Sequence, residues 1–222
     1  MPSPVPPFDA AMIDLDGTLV DTLADFVEAL ACTLDDLGLP RVGPDVVARH
    51  IGRGSEHLVR SVLAAAAASV GDDRSQAALA GYLRHYARVN GQKATVYPGV
   101  LAALQRCRAR GIALACVTNK PTAFSEALLR AMGLNGFFAT VTGGDRFGRM
   151  KPDPLPLLQT CAVLGSPPAR TLMVGDSIND ALAARAAGCP VVLVSYGYNH
   201  GHPVHEVDAD AVIDSLEALC ER

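Results

Sequence analysis

The sequence predicts an α/β protein: a doubly wound parallel sheet carrying a smaller, all-helical unit. Three observations lead there. Several short runs are apolar throughout, as strands buried on both faces must be. Helical patterns closed by glycine separate the later runs. Residues 22–96 contain helical spacing and no convincing strand.

The first run, Ala10-Ala11-Met12-Ile13, ends at Asp14. Leu23, Phe26, Val27, Leu30, Leu34 and Leu37 then recur at helical spacing before Gly38. Asp45–His50, Ser55–Val70 and Asp73–Asn90 also read as helices, and the Ala64–Ala68 run within them suits a plain helix. Val96-Tyr97-Pro98-Gly99 returns the chain to the sheet. A helix follows on Val100, Leu101, Leu104 and Cys107, then the run Ile112–Val117 ending at Thr118-Asn119. Next come a helix over Ala123–Met132, the run Phe138–Val141, the run Thr171–Val174 ending at Gly175-Asp176, a helix over Ala181–Ala187 and the run Pro190–Val194. Gly111, Gly133 and Gly188 follow three of these helices, where a left-handed residue is preferred. The expected division is residues 1–21 and 97–222 as core, with 22–96 as helical insert.

Composition narrows the function. The chain has 222 residues, half of them hydrophobic but only 5% aromatic, so its core is Ala, Leu and Val. A net charge of −4 provides no general basic field, which argues against nucleic acid as partner. The six cysteines form no CxxC pair and sit mostly in apolar stretches, as buried reduced thiols do. Met1–Pro7 is proline-rich and lacks the layout of a signal peptide. No apolar run reaches the ~18–20 residues of a membrane span. A cytoplasmic protein without membrane partners is expected.

The strongest motif is Asp14-Leu15-Asp16-Gly17-Thr18-Leu19-Val20-Asp21. Two carboxylates one residue apart at a strand end raise each other's pKa and call for a cation or a proton. The other strand ends supply partners. Thr118 and Asn119 offer a hydroxyl and amide donors for phosphate oxygens, Lys151 offers a positive charge, and Asp176 and Asp180 offer two further carboxylates. In an open parallel sheet these ends share one crevice. Asp14, Asp16, Asp176 and Asp180 against Lys151 leave a deficit of three positive charges. One Mg²⁺ covers two, since carboxylate oxygens suit that ion, and a proton on one Asp covers the third. Such a site suits phosphoryl transfer. No P-loop sequence occurs.

Asp14-Leu15-Asp16-Gly17-Thr18, Thr118-Asn119, Lys151-Pro152 and Gly175-Asp176 through Asp180 together resemble, in order, the four motifs of the haloacid dehalogenase-like superfamily. The helical insert lies where that family carries a type-1 cap. The resemblance implies a Rossmann-like core, with Asp14 as the nucleophile forming an aspartyl-phosphate and Asp16 as general acid and base. It further implies that Asp14, the Asp16 backbone carbonyl and Asp176 hold Mg²⁺, and that Asp180 binds it directly or supports a bound water. Thr118 and the Asn119 backbone would grip the phosphoryl oxygens, with Lys151 neutralising their charge. The second Asp speaks against a true dehalogenase. Softer pointers, Gly52-Arg53-Gly54, Tyr97-Pro98-Gly99-Val100 and Tyr196-Gly197-Tyr198-Asn199, resemble the bacterial phosphoglycolate phosphatases.

The expected partner is therefore a small phosphorylated metabolite. Arg53, between two glycines on a cap loop, is the candidate to hold a substrate carboxylate. Hydrolysis of a sugar phosphate or pyrophosphate, and a mutase resembling β-phosphoglucomutase, stay open as alternatives. A non-enzymatic phospho-acceptor fits less well, because no helical insert follows its first strand. His200, His202 and His205 read as a loop, not a metal site. Oligomeric state is not readable.

Overall fold

The computed structural model describes residues 5–66 and 72–220. Its centre is a six-stranded sheet built from β1 (Ala10–Ile13), β4 (Ala113–Val117), β5 (Thr140–Thr142), β6 (Thr171–Gly175), β7 (Val191–Val194) and β8 (Ala211–Ile213). The strand order is β5-β4-β1-β6-β7-β8 and every pairing is parallel. β1, which ends at Asp14, is therefore central. Its neighbours β4 and β6 end at Thr118 and Asp176.

Period-2 alternation distributes the strand side chains to two layers. Ile13, Cys116 and Val174 pack into one core with residues of α5 (Val100–Ala109) and α6 (Thr122–Ala131). Met12, Ala115 and Met173 pack into the other with α7 (Leu155–Leu164) and α8 (Ile178–Ala187). Burial on both faces is why these strands read as continuous apolar runs. Cys107, Cys116, Cys161 and Cys189 are buried, as expected, whereas Cys32 is half-buried.

Four helices, α1 (Leu23–Asp36), α2 (Pro44–Ala48), α3 (Ser55–Ala66) and α4 (Asp72–Val89), surround a separate core of Phe26, Leu30, Leu34, Leu58, Val62, Tyr82 and Tyr86. The tail of the predicted Ser55–Val70 helix, with part of the Ala64–Ala68 run, lies outside the described residues. Two departures from expectation concern short strands. Residues 22–96 do contain one: β3 (Thr95–Val96) pairs antiparallel with β2 (Val20–Asp21), so both chain crossings form one ribbon. β8 was also not expected. At two and three residues, these elements are too short to show a period. α7 had likewise escaped the pattern, because its apolar residues do not confine themselves to one face.

Candidate active site

The apolar β1 run delivers Asp14 to the top of the sheet, where only 6% of its surface remains exposed. The chain must turn at once to keep Asp16 on the same side. Gly17 makes that turn at φ +85°, and a Cβ there would stand 2.5 Å from Asp176 Oδ2. Glycine thus serves both the turn and the close approach of the two loops.

Asp14, Asp176 and Asp180 offer carboxylate oxygens that all lie within 4.8 Å of one another, each residue buried. Burial raises the Asp14 carboxyl; Lys151 opposes that shift and Asp180 adds to it, leaving it at about 7. Burial likewise pushes Asp176 well above the carboxylate range, helped by Asp180 and Asp14. Three hard oxygen donors repelling one another in a dry site fit a divalent cation. The three are not equally free. Asp180 Oδ1 accepts from Lys151 Nζ at 2.6 Å, and its Oδ2 accepts from the Ser177 amide at 3.1 Å and hydroxyl at 2.8 Å. Asp176 Oδ2 accepts from the Tyr198 amide at 2.7 Å, whereas its Oδ1 has only a 3.5 Å contact from Thr18 Oγ1. Asp14 Oδ1 lies 3.0 Å from Lys151 Nζ without hydrogen-bond alignment.

Lys151 is buried and fully engaged. Its ammonium donates to Asp180 Oδ1 and, at 2.8 Å, to Val117 O, and faces Asp14. The Asn119 side chain has a different role from the one its residue type suggested. Its amide donates to Lys151 O at 2.7 Å and Gly52 O at 2.8 Å, while Oδ1 accepts from Lys151 N at 2.9 Å. It braces the lysine loop against the helical insert, so only its backbone is left for a phosphate. Asn179 Nδ2 donates to the same Gly52 carbonyl at 3.1 Å. Two core asparagines therefore hold one carbonyl of the insert.

Sequence reasoning missed Lys120. It directly follows Thr118-Asn119, yet nothing local sets it apart from an ordinary lysine. In the fold its side chain is 3% exposed. Nζ donates to Asp16 Oδ1 at 2.8 Å and to Tyr86 Oη at 2.5 Å, and lies 4.5 Å from the Phe26 ring centroid. Thr22 Oγ1 also donates to Asp16 Oδ1, at 2.8 Å. Lys120 changes the charge balance. Four carboxylates now face two lysines, and the remaining deficit matches one divalent cation. The substrate-free site then balances without the extra proton that the charge count had called for, and a bound phosphate dianion restores that requirement.

A cavity opens above Asp14, Asp16, Thr118 and Asn119. Phe26, Ile51, Leu58, Tyr82, Tyr86 and Phe124 wall it, and Lys120 enters from the side. Arg53 does not line it. That residue is exposed and borders an adjacent depression with His57, Arg60 and Met150. The flanking glycines allow the loop to turn, but the turn carries Gly52 inward and Arg53 outward. His202 and His205 are exposed, in keeping with a loop; His200 is buried against Asn179.

The haloacid dehalogenase-like hydrolase family model matches residues 8–188. The chain belongs to this family. It is 47% identical over 96% of its length to the plasmid-borne phosphoglycolate phosphatase of Cupriavidus necator, covering 92% of that protein. To the phosphoglycolate phosphatase of Thiobacillus denitrificans it is 43% identical, covering 95% of this chain and 93% of the relative. A crystal structure described as a predicted phosphoglycolate phosphatase from Haemophilus somnus superimposes with a TM-score of 0.92 at 32% identity, over 96% of both chains. The haloacid dehalogenase-like core thus accounts for the strand order and for the convergence of the four motifs.

Proposed function

We propose that this protein is a Mg²⁺-dependent phosphatase that hydrolyses 2-phosphoglycolate to glycolate and phosphate. The observation that carries the chemistry is the buried Asp14–Asp176–Asp180 cluster, whose Asp14 lines one cavity together with Asp16. The substrate reading rests on relatives named phosphoglycolate phosphatase that match nearly the whole chain.

Asp14 attacks phosphorus, and the bond to the ester oxygen breaks as an aspartyl-phosphate forms. Asp16 gives its proton to the departing alkoxide and then takes one from the water that opens the acyl phosphate. The Thr118 hydroxyl and the Asn119 backbone hold the phosphoryl oxygens. Lys151 offsets their charge and keeps Asp14 directed upward. Asp14, Asp176 and the Asp16 carbonyl would hold Mg²⁺, with Asp180 fixing Lys151 and supporting the metal's surroundings. When bound, the ion neutralises charge on the transferring group. Residues 22–96 act as the cap, whose Gly52 carbonyl and aromatic wall close the cavity against water.

The test is a kcat/KM panel with Mg²⁺ over 2-phosphoglycolate, sugar phosphates and pyrophosphate. The highest value is expected for 2-phosphoglycolate. A sugar phosphate or pyrophosphate exceeding it would overturn the substrate reading while leaving the phosphatase in place.

A further inference from the structure

The glycolate end of the proposed substrate carries a carboxylate, and the cavity must provide for it. Three cations are near. Lys151 donates to Val117 O and Asp180 and is ion-paired with Asp14, all within the protein. Arg53 is exposed and borders a separate depression. Lys120 remains, and it is the one cation among the residues lining the catalytic cavity.

Its surroundings are those of a binding group. Two of its protons go to Asp16 Oδ1 and Tyr86 Oη. The third has no oxygen acceptor among the described residues, although the side chain is 3% exposed. The ring centroids of Phe26 and Tyr86 lie 4.5 and 4.6 Å from Nζ, which holds the ammonium without giving that proton an oxygen acceptor. The other wall side chains, Ile51, Leu58, Tyr82 and Phe124 with the hydroxyl of Ser55, offer a carboxylate no charge. Distance agrees. Asp16 must reach the ester oxygen, and Lys120 stands one hydrogen bond, 2.8 Å, from Asp16. In 2-phosphoglycolate a single methylene separates that ester oxygen from the carboxylate carbon, so a ligand touching Asp16 brings its carboxylate beside Nζ.

We propose that Lys120 is the specificity residue that binds the substrate carboxylate, and that Tyr86 and Phe26 of the cap helices hold it in place for this. The inference rests on the 2-phosphoglycolate reading. It also makes recognition depend on a seated cap, because both aromatic supports come from α1 and α4.

The experiment compares kcat/KM for 2-phosphoglycolate and for ethyl phosphate, which lacks the carboxylate, in the wild type, Lys120→Met and Arg53→Ala. The wild type should prefer 2-phosphoglycolate. Lys120→Met should reduce that preference ~10- to 100-fold, as loss of a charge-assisted hydrogen bond does, while Arg53→Ala leaves the ratio within about twofold. An equal loss on both substrates in Lys120→Met would overturn the inference and leave Lys120 as a support for Asp16. So would loss of the preference in Arg53→Ala alone. A wild type without any preference would fail the substrate reading itself, and the inference with it, before either variant is considered. Should Lys120→Met not fold, a crystal structure of Asp14→Asn with 2-phosphoglycolate decides. The carboxylate is expected within ~3.2 Å of Lys120 Nζ, and its placement on any other group overturns the proposal.

Discussion

The floor and the wall of the cavity solve opposite problems. The floor gathers Asp14 and Asp176, at the ends of paired parallel strands, with Asp180 from the start of α8 and Lys151 from the loop between β5 and α7. Its charges are matched to one another, apart from an excess of carboxylate that fits a divalent ion. The wall is aromatic and aliphatic, comes mostly from residues 22–96, and contains a single cation, Lys120. A floor of this kind recognises a phosphoryl group and nothing further. What distinguishes one phosphate ester from another has to be read by the wall. On the proposed reading, chemistry and specificity reside in elements of different origin, joined where Asn119 and Asn179 grip Gly52.

That division can be broken at its floor first. Asp14→Asn should lower phosphate release by about 10⁴-fold or more, since it removes the proposed nucleophile. The same substitution should raise the melting temperature of the metal-free protein, because it removes one of three mutually repelling buried carboxylates. A lower melting temperature would mean that the Asp14–Lys151 contact outweighs the repulsion. Next in size, Asp16→Ala should cost ~10²–10⁴-fold on alkyl phosphates. The loss should be far smaller on p-nitrophenyl phosphate, whose leaving group needs no proton. Equal losses on both would argue that Asp16 positions water or metal instead.

The pH dependence of the floor sharpens the comparison further. Asp14 titrates near 3.8 when unfolded and about 7 when folded. Between those values the folded state holds the proton that the unfolded state has lost, so stability falls as pH rises through this window. In EDTA the melting temperature should therefore decline from pH 5 to pH 8. Millimolar Mg²⁺ should flatten that slope, because the ion binds the deprotonated cluster. A metal-independent slope would show that the cluster does not bind the ion. The smallest effect tests the joint between floor and wall. Asn179→Ala removes one of the two bonds to Gly52 O, a loss of ~1 kcal/mol. It should raise KM several-fold and lower the melting temperature by about 2–4 °C, measured by steady-state kinetics and thermal melts.

Much of the floor was legible before folding. Asp14, Asp16, Thr118, Lys151, Asp176 and Asp180 each follow or lie near an apolar run, and strand ends in a parallel sheet meet by topology. The wall was not legible. Lys120 acquires its meaning from Asp16, 104 residues away, and from Tyr86, 34 residues away. Arg53 shows the converse, since its glycine flanks are visible in sequence but the direction of the loop is not. Asn119 could be placed at a strand end, yet only packing revealed that its amide is occupied by Lys151 and Gly52.

The sequence by itself therefore determined the sheet, the helical insert and the acidic cluster, because period, burial and strand-end position are local or follow from chain order. Only the tertiary structure decided which lysine enters the cavity and which arginine leaves it. A side chain's charge is fixed by its type, but its availability depends on the neighbours that three-dimensional packing brings to it.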